Sequence, residues 1–428
     1  MAQLRAPADE QRQEEALHGV AASGNESSNK KARAGLCGVL RERKVVDLAR
    51  AKRRLVEVPY TATLAHTANA LLAARVSGVA VAAPPGHWIG AGGSMILESD
   101  PATGAVRKHY IGMVNMLDIL AHIAEASDDA EADGEAVDLD RRIAVPVSSV
   151  IGHSIEGLTL WTLHPTTSVL DCMETFSKGV HRALVPLESS ADNVVAVELV
   201  ESAPGYRMLT QMDVVRFLGT HGAELKGMLS RTVRELGAVN DTVFAVAGGT
   251  KVIDAIRAMR AASLTAVPVV DAAAAEGTET LLYGNGQRAI ETFSATDLRD
   301  CPVARLQPWL GISVTEFKRK VAEYRASNRP VVPGADATDT STPADTPAAA
   351  AVATDDEQSE HQQESALVTC SPDSTLGEAI EAAASRHVHR LWVVDEEGLL
   401  RGVVSLTDIL RAVRDAALGE DRELHSIV

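Results

Sequence analysis

The alternation of apolar and polar positions along this chain returns four times to one phrase. It reads GMVNMLDIL at 112–120, RMLTQMDVV at 207–215, ETFSATDLR at 291–299 and GVVSLTDIL at 402–410. Each copy has a short, largely apolar run, a small polar residue, two spacers, an aspartate and a mostly apolar return. The aligned polar pairs are Asn115/Asp118, Thr210/Asp213, Ser294/Asp297 and Ser405/Asp408. In the fourth copy the surrounding pattern is cleanest. LVTCSP (367–372) is a short β-rich run stopped by Pro372, and STLGEAIEAAASRHV (374–388) opens on Ser374 as an N-cap. Leu376, Ile380 and Ala384 then share one helical face. HRLWVVD (389–395) has the length of a buried strand, EEGLL is a turn, and RGVVSLTDIL predicts a strand running into a helix that starts near Ser405.

The predicted unit is therefore β-α-β-β-α. TLAHTANALLAARV (63–76), TSVLDCMETFSKGV (167–180) and TKVIDAIRAMRAAS (250–263) supply the equivalent first helix of the other three copies. The blocks PVSSVIG (146–152) and RTVRELG (231–237) are similar connectors ahead of units two and three. The fold class is α/β (α+β), small sheets covered by helices. One such unit buries too little apolar surface to stand alone, so the units are expected to associate in pairs. Fourfold repetition also points away from a single catalytic centre.

Between the units the composition shifts. Residues 1–35 are polar and expected to be disordered, and EASDDAEADGEAVDLD (125–140) reads as an acidic hinge. Residues 334–365 are of low complexity, without an aromatic residue, and are likewise expected to be disordered. WLGISVTEFKRKVAEYRASN (309–328) is expected to be helical, and residues 83–110 form a long insertion within the first unit. The resulting division is 36–125 for unit one and 126–144 for the acidic linker. It continues with 145–222 for unit two, 228–302 for unit three, 303–333 for a helical connector and 366–420 for unit four.

Composition narrows the function classes. Hydrophobic residues make up 46% of 428 residues while aromatics are only 3%, which predicts aliphatic, alanine-rich cores. A net charge of −17 argues against nucleic acid as a main partner. The basic stretch Lys30–Arg54 runs the other way. GVLRERKVVDLARAKRRLVEV (38–58) has the periodicity of one amphipathic helix, with a solvated basic face preferred over a nuclear-import or membrane-surface signal. Cys37, Cys172, Cys301 and Cys370 are scattered without metal-ligand spacing and read as free thiols of a reducing compartment. No metal site, catalytic triad, secretory signal or membrane span can be assembled from the sequence. A soluble, cytoplasmic and non-catalytic protein is expected, and a nuclear-import reading of the basic stretch would add the nucleus.

With these units on the page, the chain resembles proteins built of CBS domains, small nucleotide-sensing modules that associate in tandem. Four copies in one chain resemble the gamma regulatory subunit of AMP-activated protein kinase. VEVPYTATLAHTANALLAARVSGVAVAAPPGHWIGAGGSM (56–95) and RKHYIGMVNMLDILAHI (107–123) are similar to the plant gamma-type subunits of the sucrose-non-fermenting-related kinase. The resemblance covers 36–332 and 366–415. It implies two tandem pairs in a pseudo-symmetric disc, AMP, ADP or ATP as ligand without a cofactor, and kinase alpha-type and beta-type chains as partners.

Two constellations carry the expected chemistry. An ionised carboxylate accepts hydrogen bonds from both hydroxyls of a ribose, and a hydroxyl at a helix start favours phosphate. The resemblance accordingly implies ribose contacts for Asp118, Asp213, Asp297 and Asp408, and phosphate contacts for Thr210, Ser294 and Ser405. Asn115 departs from this pattern. The same spacing is close to a capping box that merely closes the helix N-terminus, and that reading stays open. Ahead of the middle strand, units two and four carry His181-Arg182 and His389-Arg390, where units one and three have Ser77-Gly78 and Thr265-Ala266. Arginine offers a planar fork of donors to phosphate, and the resemblance implies that role for all four basic residues. The alternative is that they are strand-end residues facing solvent.

Overall fold

The structure is a computed structural model. It describes residues 38–83, 109–133, 139–151, 160–187, 206–271, 280–299, 301–327 and 367–426. The polar N-terminus, most of the 83–110 insertion and the 334–365 segment lie outside these residues.

Four small sheets carry the repeats. Repeat 1 runs β1 (Glu57–Pro59), α2 (Leu64–Ala74), β2 (Val79–Ala83), β3 (His109–Val114) and α3 (Met116–Asp133), after a lead-in helix α1 (Val45–Ala49). Helix α4 (Leu139–Ile143) connects it to repeat 2. Repeat 2 runs β4 (Trp161–Thr162), α5 (Val169–Phe176), β5 (Arg182–Pro186), β6 (Tyr206–Thr210) and α6 (Gln211–Thr220), followed by the short α7 (Lys226–Leu229). Repeat 3 comprises β7 (Phe244–Ala247), α8 (Val252–Ala261), β8 (Ala266–Val270), β9 (Leu282–Tyr283), β10 (Ala289–Ser294) and α9 (Ala295–Arg299). Helices α10 (Val303–Leu306) and α11 (Val314–Ser327) lead on to repeat 4. That repeat has β11 (Thr369–Cys370), α12 (Leu376–Arg386), β12 (Arg390–Val394), β13 (Leu400–Ser405) and α13 (Leu406–Ser426). In every repeat the first strand pairs parallel with the middle one, which pairs antiparallel with the last. The predicted β-α-β-β-α order is present four times, and repeat 3 adds β9 outside β7.

Three local expectations are corrected. Residues 38–58 do not form one helix, because Lys44 is extended and bridges Ser168. The Val45 amide donates to the Thr167 carbonyl (2.9 Å) and the Val169 amide to that of Arg43 (2.9 Å), so a tertiary bridge outcompetes the helix. The N-cap of α12 is Thr375, not Ser374. Thr375 has Glu378 three residues on and closes a reciprocal capping box with it, while the Ser374 hydroxyl accepts from the Ser371 amide. The acidic stretch is no simple hinge either, since α3 continues through Asp133.

Pairing in sequence and pairing in space differ. Within a tandem pair, lead-in segments are exchanged. The bridges Lys44 to Ser168 and Thr63 to Pro146 tie repeats 1 and 2, and Thr232 to Thr375 and Lys251 to Ser313 tie repeats 3 and 4. Each holds the start of a first helix against the segment that precedes its mate. The main apolar cores cross between pairs. One joins Met173, Phe176 and Leu218 of repeat 2 to Ile380, Ile409 and Leu410 of repeat 4. The other joins Leu71, Ile119 and Leu120 of repeat 1 to Ile256 and Phe293 of repeat 3, with Phe317 of α11. Every repeat therefore touches its sequence mate and one repeat of the other pair, giving the cyclic order 1, 2, 4, 3.

A third, smaller core lies between the sheets of repeats 3 and 4, with Val243, Ala245 and Val270 against Trp392 and Leu400. Cys172, Cys301 and Cys370 are free thiols. Burial pushes Cys172 up to about 12 and Cys370 up to about 11, so neither is a thiolate at neutral pH.

Trp392 and Thr292 test the seam within the second pair. The indole Nε1 donates to the Thr292 hydroxyl at 2.9 Å across the two repeats, and both residues are buried. Trp392→Phe leaves that hydroxyl without its donor, and with the lost area is expected to cost about 1–3 kcal/mol in urea unfolding, whereas Thr292→Val in the Phe background restores part of it.

Candidate functional site

The ring closes around a central cavity of about 900 Å³ to which all four repeats contribute. Among the described residues its wall carries Lys52, Arg53, Arg54, Arg75, Arg182, Arg216, Arg299 and Arg390 against only Asp213 and Asp408. In a chain of net charge −17 this is a concentrated reversal of sign. Clefts of one sign with low-dielectric walls focus potential and draw in counter-ions, here anions.

The His-Arg pairs of repeats 2 and 4 are on this wall. His389 is exposed, while the two arginines are half-buried and reach across to the mate repeat. Arg182 Nη2 donates to the Ser77 hydroxyl at 3.0 Å. Arg390 Nη2 donates to the Thr265 hydroxyl at 2.6 Å, and its Nη1 to the Ala266 carbonyl at 2.8 Å. Ser77 and Thr265 are the odd-repeat counterparts of His181 and His389. The replacement of a basic residue by a hydroxyl in repeats 1 and 3 therefore has a structural sense: the hydroxyl accepts the arginine that crosses from the mate.

Two residues ahead of these positions, at or just past the end of each first helix, stand Arg75, Gly179, Ser263 and His387, all with positive φ. Three of the four are not glycine, although a left-handed conformation costs an L-residue about 1–2 kcal/mol. Arg75, Ser263 and His387 all line the cavity. The left-handed turn aims each middle strand back toward the centre. Beyond it, His387 Nδ1 is held by Arg216 Nη2 from repeat 2, across the pairs.

The aspartates separate into distinct environments. In every copy Oδ2 closes the helix N-terminus, accepting from the backbone amide of the polar residue three positions earlier. The distances are 2.9 Å for Asn115 to Asp118 and 2.8 Å for Thr210 to Asp213. They are 2.8 Å for Ser294 to Asp297 and 3.0 Å for Ser405 to Asp408. The capping reading thus describes all four copies, but it engages one carboxylate oxygen. For three copies the other oxygen has a cation: Lys52 Nζ on Asp213 at 2.7 Å, Lys318 Nζ on Asp297 at 2.7 Å and Arg411 Nη1 on Asp408 at 2.9 Å.

Only Asp213 and Asp408 reach the cavity wall; Asp118 and Asp297 do not. Asp118 is 8% exposed behind Asn115, which lines the cavity in its place. Asp297 is 1% exposed, enclosed with the Lys318 ammonium that also lies 3.6 Å from Glu291. Burial raises the Glu291 carboxyl above its ordinary range, with the nearby lysine opposing. Among the phosphate candidates, Thr210, Ser294 and Ser405 all line the cavity.

Sequence reasoning missed much of the wall. Lys52, Arg53 and Arg54 belong to the basic stretch assigned to a solvated face, and here they form one side of the cavity. Arg53 also donates to the Ala74 carbonyl at 2.6 Å at the end of α2, and Arg207 Nε to the Lys52 carbonyl at 2.7 Å. Arg75, Arg216 and Arg299 carried no motif. The signal available was position: Arg75 aligns with Gly179 and Arg216 sits one turn past an [ST]-x-x-D aspartate.

Four β-α-β-β-α units in two tandem pairs around a polar centre define a CBS-repeat protein of the AMP-activated-kinase gamma type. The CBS domain family model matches residues 364–415. The chain is 50% identical over 374 residues to the SNF1-related protein kinase regulatory subunit gamma-like PV42a of Arabidopsis thaliana, covering 86% of this chain and 94% of that one. It is 46% identical over 376 residues to PV42b of the same plant, covering 88% and 95%. Among solved structures, a Methanocaldococcus jannaschii protein whose description relates it to g-AMPK superposes with a TM-score of 0.51 at 15% identity, covering 86% of this chain and 99% of that one. The chain belongs to the family of SNF1-related protein kinase gamma-like regulatory subunits. No described helix is long and apolar enough to cross a membrane.

The capping role can be isolated at Asp118, which is off the cavity. Asp118→Ala should lower stability by about 1 kcal/mol in urea unfolding, the usual cost of a lost N-terminal cap, with no change in any ligand affinity.

Proposed function

We propose that this chain is the non-catalytic, gamma-type subunit of a plant energy-sensing serine/threonine kinase, and that it binds adenine nucleotides in its central cavity. The observation that carries this reading is the cationic wall to which Arg182 and Arg390 contribute, with the Ser405/Asp408 pair on the same surface. Phosphates are held by His181-Arg182 and His389-Arg390, and the ribose by Asp408. Kinship with the gamma-like PV42 subunits supports kinase alpha-type and beta-type chains as partners.

The arginines are already held by Ser77 and Thr265 across each pair, so a phosphate need not order a floppy side chain. It exchanges a neutral acceptor for an anionic one, which adds Coulomb attraction to the hydrogen bond. A ligand bridging repeats of different pairs stabilises one spacing of the ring over others. That differential affinity is what shifts a conformational population and is sensed by a bound kinase.

Calorimetry of the purified chain with AMP, ADP, ATP and adenosine tests the reading. Arg390→Ala should shrink the discrimination between AMP and adenosine, at a cost to AMP on the order of 1.5–3 kcal/mol, tenfold or more in Kd. Asp408→Ala should weaken both ligands alike, since both carry the ribose diol. No heat with any adenine ligand would leave a scaffold with empty clefts. Binding without co-purification of an alpha-type and a beta-type chain would leave a sensor that regulates another enzyme.

A further inference from the structure

The nucleotide reading, on which this inference rests, does not say how many of the four repeats hold a ligand. We propose that Lys52 and Lys318 are built-in counter-ions that close the ribose positions of repeats 2 and 3, leaving Asp408 of repeat 4 to hold the single nucleotide. Both lysines come from segments outside the repeat whose aspartate they bind. Lys52 lies in the lead-in to repeat 1, and Lys318 on α11, the connector after repeat 3. Each places Nζ at 2.7 Å from Oδ1, the oxygen that the helix cap leaves over.

The competition is decided by charge and by lone pairs. A ribose diol brings two neutral O–H donors, whereas the lysine ammonium adds a full opposite charge 2.7 Å from the carboxylate oxygen. Oδ2 cannot compensate. In repeat 2 it accepts from both the Thr210 amide and hydroxyl (2.8 Å each), and in repeat 3 from the Ser294 amide (2.8 Å) and hydroxyl (3.2 Å). Lys52 is further anchored through its own backbone, whose carbonyl takes Arg207 Nε. Lys318 is 4% exposed and cannot leave without moving α11.

Asp408 has the same cap, its Oδ2 accepting from the Ser405 amide (3.0 Å) and hydroxyl (2.5 Å), and differs in its cation. Its partner Arg411 is on the same helix three residues on, and 48% of that side chain is exposed. Arg411 Nη2 also donates to the Ser177 carbonyl at 3.2 Å. An exposed pair of this kind is screened and contributes little, so Arg411 moves aside into water at small cost while the Asp408 carboxylate stays on the wall. Repeat 1 offers Asn115 rather than an aspartate to the cavity.

Calorimetric titration of the full chain with AMP reads the number of sites directly. One site per chain is expected in the native protein and two in Lys52→Met, whose thermal transition establishes that it folds. Asp213→Asn keeps size and cap geometry. It should leave both the site number and the native affinity within about twofold, and it decides the matter alone if Lys52→Met does not fold. Two or more sites in the native chain, a single site in folded Lys52→Met, or a tenfold loss of affinity in Asp213→Asn overturns the proposal while leaving nucleotide binding intact. Absence of heat with AMP, ADP and ATP in native and Lys52→Met chains overturns the nucleotide reading itself, and this proposal with it.

Discussion

Burial of the repeat helices against helices of the other tandem pair is the interaction on which the rest of the architecture depends. Each sheet is three or four strands wide. Those helices carry an apolar stripe that the repeat's own sheet cannot fully cover. In repeats 2 and 4 the stripes meet through Phe176, Leu218, Ile380 and Leu410, and in repeats 1 and 3 through Ile119, Leu120 and Ile256. Apolar burial at roughly 25 cal/mol per Å² makes these cross-pair layers the main source of cohesion. Exchange of lead-in segments fixes the other contact of every repeat. With both satisfied, the ring must close in the order 1, 2, 4, 3.

Closure has an electrostatic consequence. The ends of the middle strands point inward, and a left-handed residue before each one brings the strand to the centre. Arginines from the even repeats reach their odd mates there, and the lead-in segment adds Lys52, Arg53 and Arg54. A protein with a large negative charge thereby keeps a positive interior. The two carboxylate oxygens of each [NST]-x-x-D aspartate divide the labour between fold and chemistry. One closes a helix in every copy, and in three copies the other is left to a lysine, an arginine or a ligand. A helix cap and a ligand contact are therefore not competing descriptions of the same atom.

How much of this was legible in the sequence can be followed residue by residue. The four units, their strand and helix order and the helix starts at Thr210 and Ser405 follow from periodicity and from the [ST]-x-x-D spacing. Alternation between even and odd units marked out His181-Arg182 and His389-Arg390, and only the resemblance to gamma-type subunits implied that they share a wall. Ser374 and Thr375 were not distinguishable until one of them was seen to pair with Glu378. The break at Lys44 was hidden because residues 38–58 are a good helix by local pattern. It exists only because Ser168, more than a hundred residues away, bridges Lys44.

The sequence by itself determined the unit, its fourfold use and the chemical character of its polar positions, because all three rest on interactions among residues close in the chain. Tertiary structure alone decided which repeats share a core, that Asp297 is buried against Lys318 while Asp408 faces the cavity, and that the end of the exposed basic lead-in lines the cavity. Those outcomes depend on contacts between segments far apart in sequence, such as Lys52 with Asp213 or Arg390 with Thr265. An aspartate in a repeated motif looks the same in every copy until the cation opposite its second oxygen is known.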